Sequence, residues 1–431
     1  MGFIITTLVM ILLYLSPAAT IPWLAQHGFM QALMVLATLV TIAGFIDGRL
    51  SFSQPQISLV LLFCIWASIS PALHGWVGGV APAFMKLIFP LVAFTMVLAN
   101  VNSLPRFRRF SAAMVVVSVY LTIRAIMAFH YGIDRQNYTI EQFTEQSEGQ
   151  ETREFFYRAC GPGFLSDPND FAQHLTISIS LLGVIWKRSS PVRNLILVIF
   201  PLIIMSYGIY ITASRGALLG IFLLFALVLK DKLGMGGPVL GGIVVVGLVS
   251  FLGFGGGRAI SMSSGSGGGR LDIWSDALSA FLSFPFRGVG FGAIRDYTYL
   301  TAHNTLLLCF TELGLIGYFF FAGLFVLTLW QLQTLLKQVP PVDAGTLETR
   351  QAAKTIRNTL LLFLASGLFL SRTYVVTPYV LLGLGLAVYL CEKNRPGSPL
   401  TDIKVPWVSR TVFSMVSSIV LIYAAVRLHW L

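Results

Sequence analysis

Three residues have the type and setting to do chemistry. They are Arg215 in Thr212-Ala-Ser-Arg-Gly-Ala217, Arg270 in Gly269-Arg-Leu-Asp-Ile-Trp274, and His303 in Thr301-Ala-His-Asn-Thr305. A guanidinium grips phosphate through two parallel hydrogen bonds, and Gly216 beside Arg215 lets backbone approach closely. An imidazole at the start of a helix is kept neutral, because the positive helix end disfavours imidazolium, so it can accept a proton. Blander roles compete: Arg215 as an interfacial arginine reaching headgroups, and His303 as a capping or packing histidine. Lys86 and Arg124 lie inside apolar runs with no evident carboxylate nearby in sequence. They either meet headgroups or line a groove for an anionic lipid. Arg372, near the end of a further apolar run, is another candidate for an anion. Glu312 follows His303 by nine positions and on a regular helix would face roughly the opposite way, so a structural tie to another helix fits it better than catalysis.

The elements that must position these residues are membrane helices. Of 431 residues, 56% are hydrophobic and 11% charged, and mean hydropathy is +0.79. Soluble domains carry about 25% charged residues. Apolar runs near bilayer length predict spans at 3–21, 28–46, 56–74, 80–101, 110–131, 171–187, 194–213, 215–230, 237–255, 304–333, 358–372, 376–391 and 411–428. The expected fold is therefore all-α, a polytopic bundle of about 12–14 spans forming one integral membrane domain, 1–431. The first run lacks a basic leader and a clean small-residue cleavage site, and reads as a retained span.

With the N-terminus in the cytoplasm, seventeen Lys and Arg fall in inner loops, against eight, all arginine, on the outside. This bias sets the orientation. Two long loops then face outward. The first, 132–170, is acidic in its middle and ends in Ser166-Asp-Pro-Asn-Asp170, where Ser166 or Asp167 can cap the next helix with Pro168 at its first position. The second, 256–303, opens with a glycine- and serine-rich tract that cannot pack a core. It continues as an amphipathic helix with Leu271, Trp274, Leu278 and Phe281 on one stripe, suited to the membrane surface, and returns through Phe284–Gly292. The spans beginning near Phe171, Arg215 and Asn304 all present their N-termini outward. Those three ends, with Arg215, Arg270 and His303, would seat a diphosphate.

Other chemistries find little support. The four cysteines (Cys64, Cys160, Cys309, Cys391) form no CxxC pair, the six histidines are dispersed, and Asp167 with Asp170 alone makes a poor metal site. No Walker loop or dinucleotide fingerprint occurs. The net charge of +11 is spread over short loops as a topology signal, not a nucleic-acid patch.

These residues together resemble the O-antigen ligase and polymerase superfamily of bacterial inner-membrane glycosyltransferases. The matching pieces are Ser214-Arg-Gly-Ala217; Gly269-Arg270 with Trp274; Pro285 followed by Gly288-Val-Gly-Phe-Gly292; Ala302-His-Asn304 leading to Glu312-Leu-Gly-Leu-Ile-Gly317; and Asp167-Pro-Asn-Asp170. The resemblance implies inverting transfer of a glycan, without metal or cofactor, from an undecaprenyl-diphosphate-linked donor to an acceptor hydroxyl at the periplasmic face. The acceptor could be lipid A-core, a growing glycan, or a protein. By motif, Arg215 and Arg270 would bind the diphosphate as it leaves and His303 would activate or orient the acceptor, with Arg124, Lys86 and Arg372 as further lipid- or diphosphate-binding cations. The expected partners are the lipid-linked donor, the acceptor and membrane lipids, and no nucleic acid. A lipid-linked glycan flippase is the alternative of another class. It would place its charges near the bilayer midplane, whereas the informative ones here cluster at the outer surface.

Overall fold

The computed structural model describes residues 1–143, 155–187, 189–233, 268–401 and 406–429. Its long helices are α1 (Gly2–Leu15), α2 (Phe29–Ile46), α3 (Pro55–Ile69), α4 (Val80–Asn100), α5 (Leu104–Tyr131), α6 (Pro168–Ile185), α7 (Pro191–Thr212, with a π-helical stretch at Leu195–Ile199), α8 (Arg215–Leu233), α9 (Gly268–Ser283), α10 (Thr305–Gln338), α11 (Ala344–Gly367), α12 (Val376–Lys393) and α13 (Trp407–His429). Among the described residues nine helices are long and apolar enough to cross a membrane, and Gly216–Lys230 is a shorter apolar helix. The protein is a polytopic all-α membrane protein. The expected span 237–255, most of the glycine/serine tract, and the acidic middle of the first loop from Glu145 to Glu154 lie outside the described residues.

Several expected boundaries shift. The helix anticipated at 358–372 starts at Ala344, because Asp343 and Thr346 form a reciprocal cap: the Thr346 amide donates to Asp343 Oδ1 at 2.7 Å and the Asp343 amide to Thr346 Oγ1 at 3.0 Å. It ends at Gly367, short of Arg372. The first long loop is not wholly irregular, since strands β1 (Thr139–Phe143) and β2 (Phe155–Ala159) pair antiparallel from Thr139↔Ala159 to Phe143↔Phe155.

The chain divides into two units. The first holds Met1–Leu36, the described part of Leu104–Ile260, and Leu361–Ser366; the second holds Ala37–Ser103, the described part of Ser261–Leu360, and Gly367–Leu431. In the first, α5, α6 and α7 pack on one another. Gly208 permits this, since a Cβ there would stand 2.5 Å from Thr122 Cγ2. A polar link joins α5 to α6: Ser118 Oγ lies 2.9 Å from His174 Nε2 and 2.7 Å from Ser178 Oγ, with His174 stacked on Tyr14 of α1. In the second unit α10 packs against α3, α9, α12 and α13, and α12 packs on α4 where Gly383 meets the Phe94 carbonyl.

Helix α9 confirms the amphipathic reading but turns a broader face inward. Ile273, Ala277 and Ala280 are buried alongside Leu278 and Phe281, whereas Leu271 and Trp274 are half-buried. The face rests on α10, where Phe281 meets Phe310 edge-on at 4.9 Å and Thr311 Oγ1 donates to the Ala277 carbonyl.

Candidate functional site

The site is built around a helix that the apolar pattern makes continuous and the backbone breaks. Helix α10 is interrupted at Gly314, which sits at φ 65°, ψ −170°. A break at membrane depth strands backbone groups that water cannot reach, so protein must satisfy them. The return segment of the second loop does this. The amides of Val289 and Gly290 donate to the carbonyls of Thr311 and Glu312, both at 2.9 Å, and Trp66 Nε1 donates to the Leu313 carbonyl at 2.9 Å. Past the break, the Leu315 and Ile316 amides donate to the carbonyls of Pro285 and Phe286 at 2.8 and 3.3 Å. The turn-rich Phe284–Gly292 segment is thus a backbone clasp on α10.

The clasp leaves a short helical arm, Thr305–Leu313, with the sequence-predicted residues at its N-terminus. Asn304 caps it, its Oδ1 accepting from the Leu306 and Leu307 amides at 3.0 Å each. His303 precedes the cap at φ 45°, in the left-handed region. That conformation is uncommon outside glycine and concentrates at functional sites. Trp274 Nε1 donates to the Ala302 carbonyl at 2.8 Å, anchoring α9 beside His303. Arg270 is one turn upstream of Trp274 and shares its face. On the other side Thr305 Oγ1 donates to the Leu370 carbonyl and accepts from the Arg372 amide at 3.1 Å, while Thr373 Oγ1 donates to the Thr305 carbonyl at 2.7 Å. In the second unit the elements bearing Arg270, His303 and Arg372 therefore meet at one end of α10.

Lys86 belongs to the same unit. Its Nζ lies 5.6 Å from the Phe291 ring centroid, and the same ring meets Tyr374 edge-on at 4.6 Å. Glu312 departs from the sequence expectation. His303 lies outside the helix, so the helical phase between it and Glu312 does not apply, and Glu312 ties α10 to a loop as well as to a neighbouring segment. Its buried carboxylate accepts from the Ile294 amide at 3.4 Å, with the Gly292 amide, the Tyr374 hydroxyl and the charge of Lys86 also acting on it. Burial, with Glu312 beside it, holds the Tyr374 phenol well above the ordinary tyrosine range, so the hydroxyl keeps its proton.

Arg215 and Arg124 are in the first unit. Arg215 is the first residue of α8, reached from α7 through Ala213 at φ 49°. Arg124 does have a carboxylate partner: its Nη2 is 2.7 Å from Asp134 Oδ2. The sequence hid this pair because α5 ends at Tyr131 and a turn through Asp134 brings the acid back over the last turns. Arg158, which the sequence offers only as one of the eight outward arginines, has a specific role. It is 4% exposed. Its Nε donates to the Thr212 carbonyl at 2.7 Å, Nη1 to Gln142 Oε1 at 2.9 Å and Nη2 to Asn169 Oδ1 at 3.0 Å. A cation at a helix C-terminus completes its free carbonyls, and here it fixes the end of α7 just before the Arg215 turn. As expected, Asp167 caps α6 through the Asn169 amide at 2.7 Å with Pro168 first in the helix. Cys160 is buried, and burial pushes its thiol up to about 12, which makes it inert. Among the described residues no three His, Cys, Asp or Glu side chains gather.

Residues 200–322 match the family model described as O-antigen ligase. The match supports membership of the O-antigen ligase superfamily and, with it, glycan transfer of the O-antigen ligase type, which in general involves a lipid-linked glycan and an acceptor. The ligase-like segment contains Arg215, Arg270, His303, Glu312 and the whole backbone clasp, whereas Lys86, Arg124 and Arg372 lie outside it. No curated protein matches the chain.

Proposed function

We propose that this chain is an inverting, metal-independent glycosyltransferase of the bacterial inner membrane, which moves a glycan from an undecaprenyl-diphosphate-linked donor to an acceptor hydroxyl at the periplasmic face. The observation that carries the proposal is the meeting, at the capped N-terminus of α10, of the elements bearing Arg270, His303 and Arg372. The acceptor oxygen forms the new bond to the anomeric carbon as the carbon–diphosphate bond breaks, and the acceptor's proton passes to His303. Negative charge grows on the departing diphosphate. Fixed cations aimed at that charge supply most of the rate, because they need no reorganisation at the moment of reaction. Arg270 takes this role, with Lys86 and Arg372 holding the donor's anionic head. Arg215, in the first unit, is proposed as an anion-binding residue from its motif alone, and loss of transfer in Arg215→Ala with normal insertion tests it. Arg124 reaches a lipid phosphate only in competition with Asp134.

The acceptor is most economically a surface glycan or lipid A-core. Deleting the gene and profiling surface glycan tests the proposal. Loss of long chains on lipid A-core while lipid-linked polymer accumulates assigns a ligase, and single-repeat products assign a polymerase. Loss of glycan from proteins alone assigns a protein acceptor. An unchanged profile on every acceptor contradicts glycan transfer and favours a flippase or other transporter.

A further inference from the structure

Glu312 and Tyr374 are costly residues that the proposed chemistry does not use. Glu312 is 2% exposed on a membrane helix, where an ionisable side chain needs a specific reason to persist. One carboxylate oxygen, Oε1, is held by the Ile294 amide. The Tyr374 hydroxyl interacts with the carboxylate, and among the described residues neither Oε2 nor that hydroxyl has a further hydrogen-bond partner. A purely structural tie would be better served by an apolar pair of the same shape, since buried polar atoms left unpaired cost more than they return. Unsatisfied groups of this kind call for a functional account.

Their placement supplies one. Thr305 and Glu312 are two turns apart on the same arm of α10 and so lie on one face. That face meets the segment Leu370–Tyr374 at both points: Thr305 binds the Leu370 carbonyl, the Arg372 amide and Thr373, and Glu312 faces Tyr374. Glu312 also reaches the turn Gly292–Ile294 and acts on Lys86, whose ammonium sits over Phe291 against Tyr374. One carboxylate therefore connects the arm behind His303, the segment carrying Arg372 and the turn beneath Lys86.

We infer that Glu312 and Tyr374 are positioning residues, which hold the Arg372 segment and Lys86 in register with the His303 arm so that the cations address one anionic head group. The inference deepens the transfer reading and rests on it for the identity of that head group.

The test uses the purified full-length protein in detergent, with farnesyl diphosphate as the anionic prenyl probe, and the variants Glu312→Gln, Tyr374→Phe and Arg372→Ala. Positioning predicts that Glu312→Gln and Tyr374→Phe unfold near the wild-type temperature, since glutamine keeps the buried shape without the charge and phenylalanine removes only a hydroxyl with no further partner among the described residues. It also predicts that they lose affinity for the probe about tenfold, as Arg372→Ala does, the scale of one charge-assisted contact. Affinity within about twofold of wild type for both variants overturns the inference. So does a loss of affinity that only tracks a lowered unfolding temperature, and so does a wild-type protein that fails to bind the probe. A wild-type protein that binds the probe but transfers no glycan removes the transfer reading and leaves the positioning role standing. Transfer that survives unchanged in both variants does the reverse.

Discussion

Gly288 and Gly314 lie backbone to backbone: a Cβ on either would stand 2.5 Å from the other's amide nitrogen. Both also have left-handed φ, 69° and 65°. The contact closes the clasp on α10, so the geometry of the His303 arm depends on two positions that carry no chemistry of their own.

Alanine at either glycine should therefore be severe. Left-handed strain alone costs about 1–2 kcal/mol, and the backbone collision raises the loss to upward of about 3 kcal/mol. Gly48 is the control, because it has φ 67° but nothing within 4 Å of a built Cβ. Gly48→Ala should show only the strain. Thermal unfolding of the three variants in detergent checks the ordering, and equal effects at all three would contradict the clasp.

Arg158 is the corresponding keystone of the first unit. Removing this buried arginine leaves the Thr212 carbonyl, Gln142 and Asn169 short of a donor, at a cost of about 1–3 kcal/mol for each buried acceptor left unpaired. Arg158→Ala should lower the unfolding temperature and abolish transfer. Arg158→Lys should recover only part, since an ammonium cannot span three separate acceptors as a planar guanidinium does. Wild-type stability in Arg158→Ala would show that the guanidinium is dispensable to the Arg215 turn.

Cys160 gives a pH-dependent test of the packing around that turn. Its thiol is pushed up to about 12, first by burial and then by the nearby Asp167 carboxylate. Thiolate, the reactive form, therefore stays scarce until the pH nears that value. In a variant with Cys64, Cys309 and Cys391 replaced by serine, Cys160 should resist maleimide at pH 7 and at pH 9 in detergent, and react once the protein is denatured. Labelling of the native protein at pH 7, read as a mass shift, would show that the hairpin does not cover it.

Much of the fold was legible in the sequence because bilayer length and hydropathy set the spans directly. The cap at Asp167-Pro168 was legible for the same reason, as its partners are two residues apart. The break in α10 was not. The apolar run through Leu313-Gly-Leu-Ile continues a helical pattern, and one glycine costs only about 1 kcal/mol within it. What stabilises the break comes from Pro285, Phe286, Val289, Gly290 and Trp66, all distant in sequence. Arg158 was illegible likewise, its three acceptors lying in three separate segments. His303, Arg270 and Arg215 were legible as residue types in short motifs, but the partnership of Thr305 with the Arg372 segment, which brings Arg372 toward His303, joins residues more than sixty positions apart and leaves no local signal.

Arg270 offers a graded test of the proposed chemistry. Arg270→Ala should cut transfer about 10²–10³-fold, the usual cost of losing one preorganised group at a developing charge, with unfolding temperature unchanged. Arg270→Lys should fall between, retaining charge without the bidentate fork. Transfer rates from membranes containing equal amounts of each variant decide the matter, and an alanine variant as fast as wild type would remove Arg270 from the site.

The central claim is tested most directly at His303, because backbone and side chain can be separated there. Asparagine tolerates the left-handed φ of 45° that His303 adopts, so His303→Asn should preserve the turn and remove only the imidazole. Membranes holding equal amounts of wild type and His303→Asn are supplied with a lipid-linked glycan and acceptor, and product is counted. The account predicts normal insertion, an unchanged unfolding temperature and transfer reduced by about 10²–10⁴-fold, the range of a lost general base. Transfer at the wild-type rate in His303→Asn would contradict it.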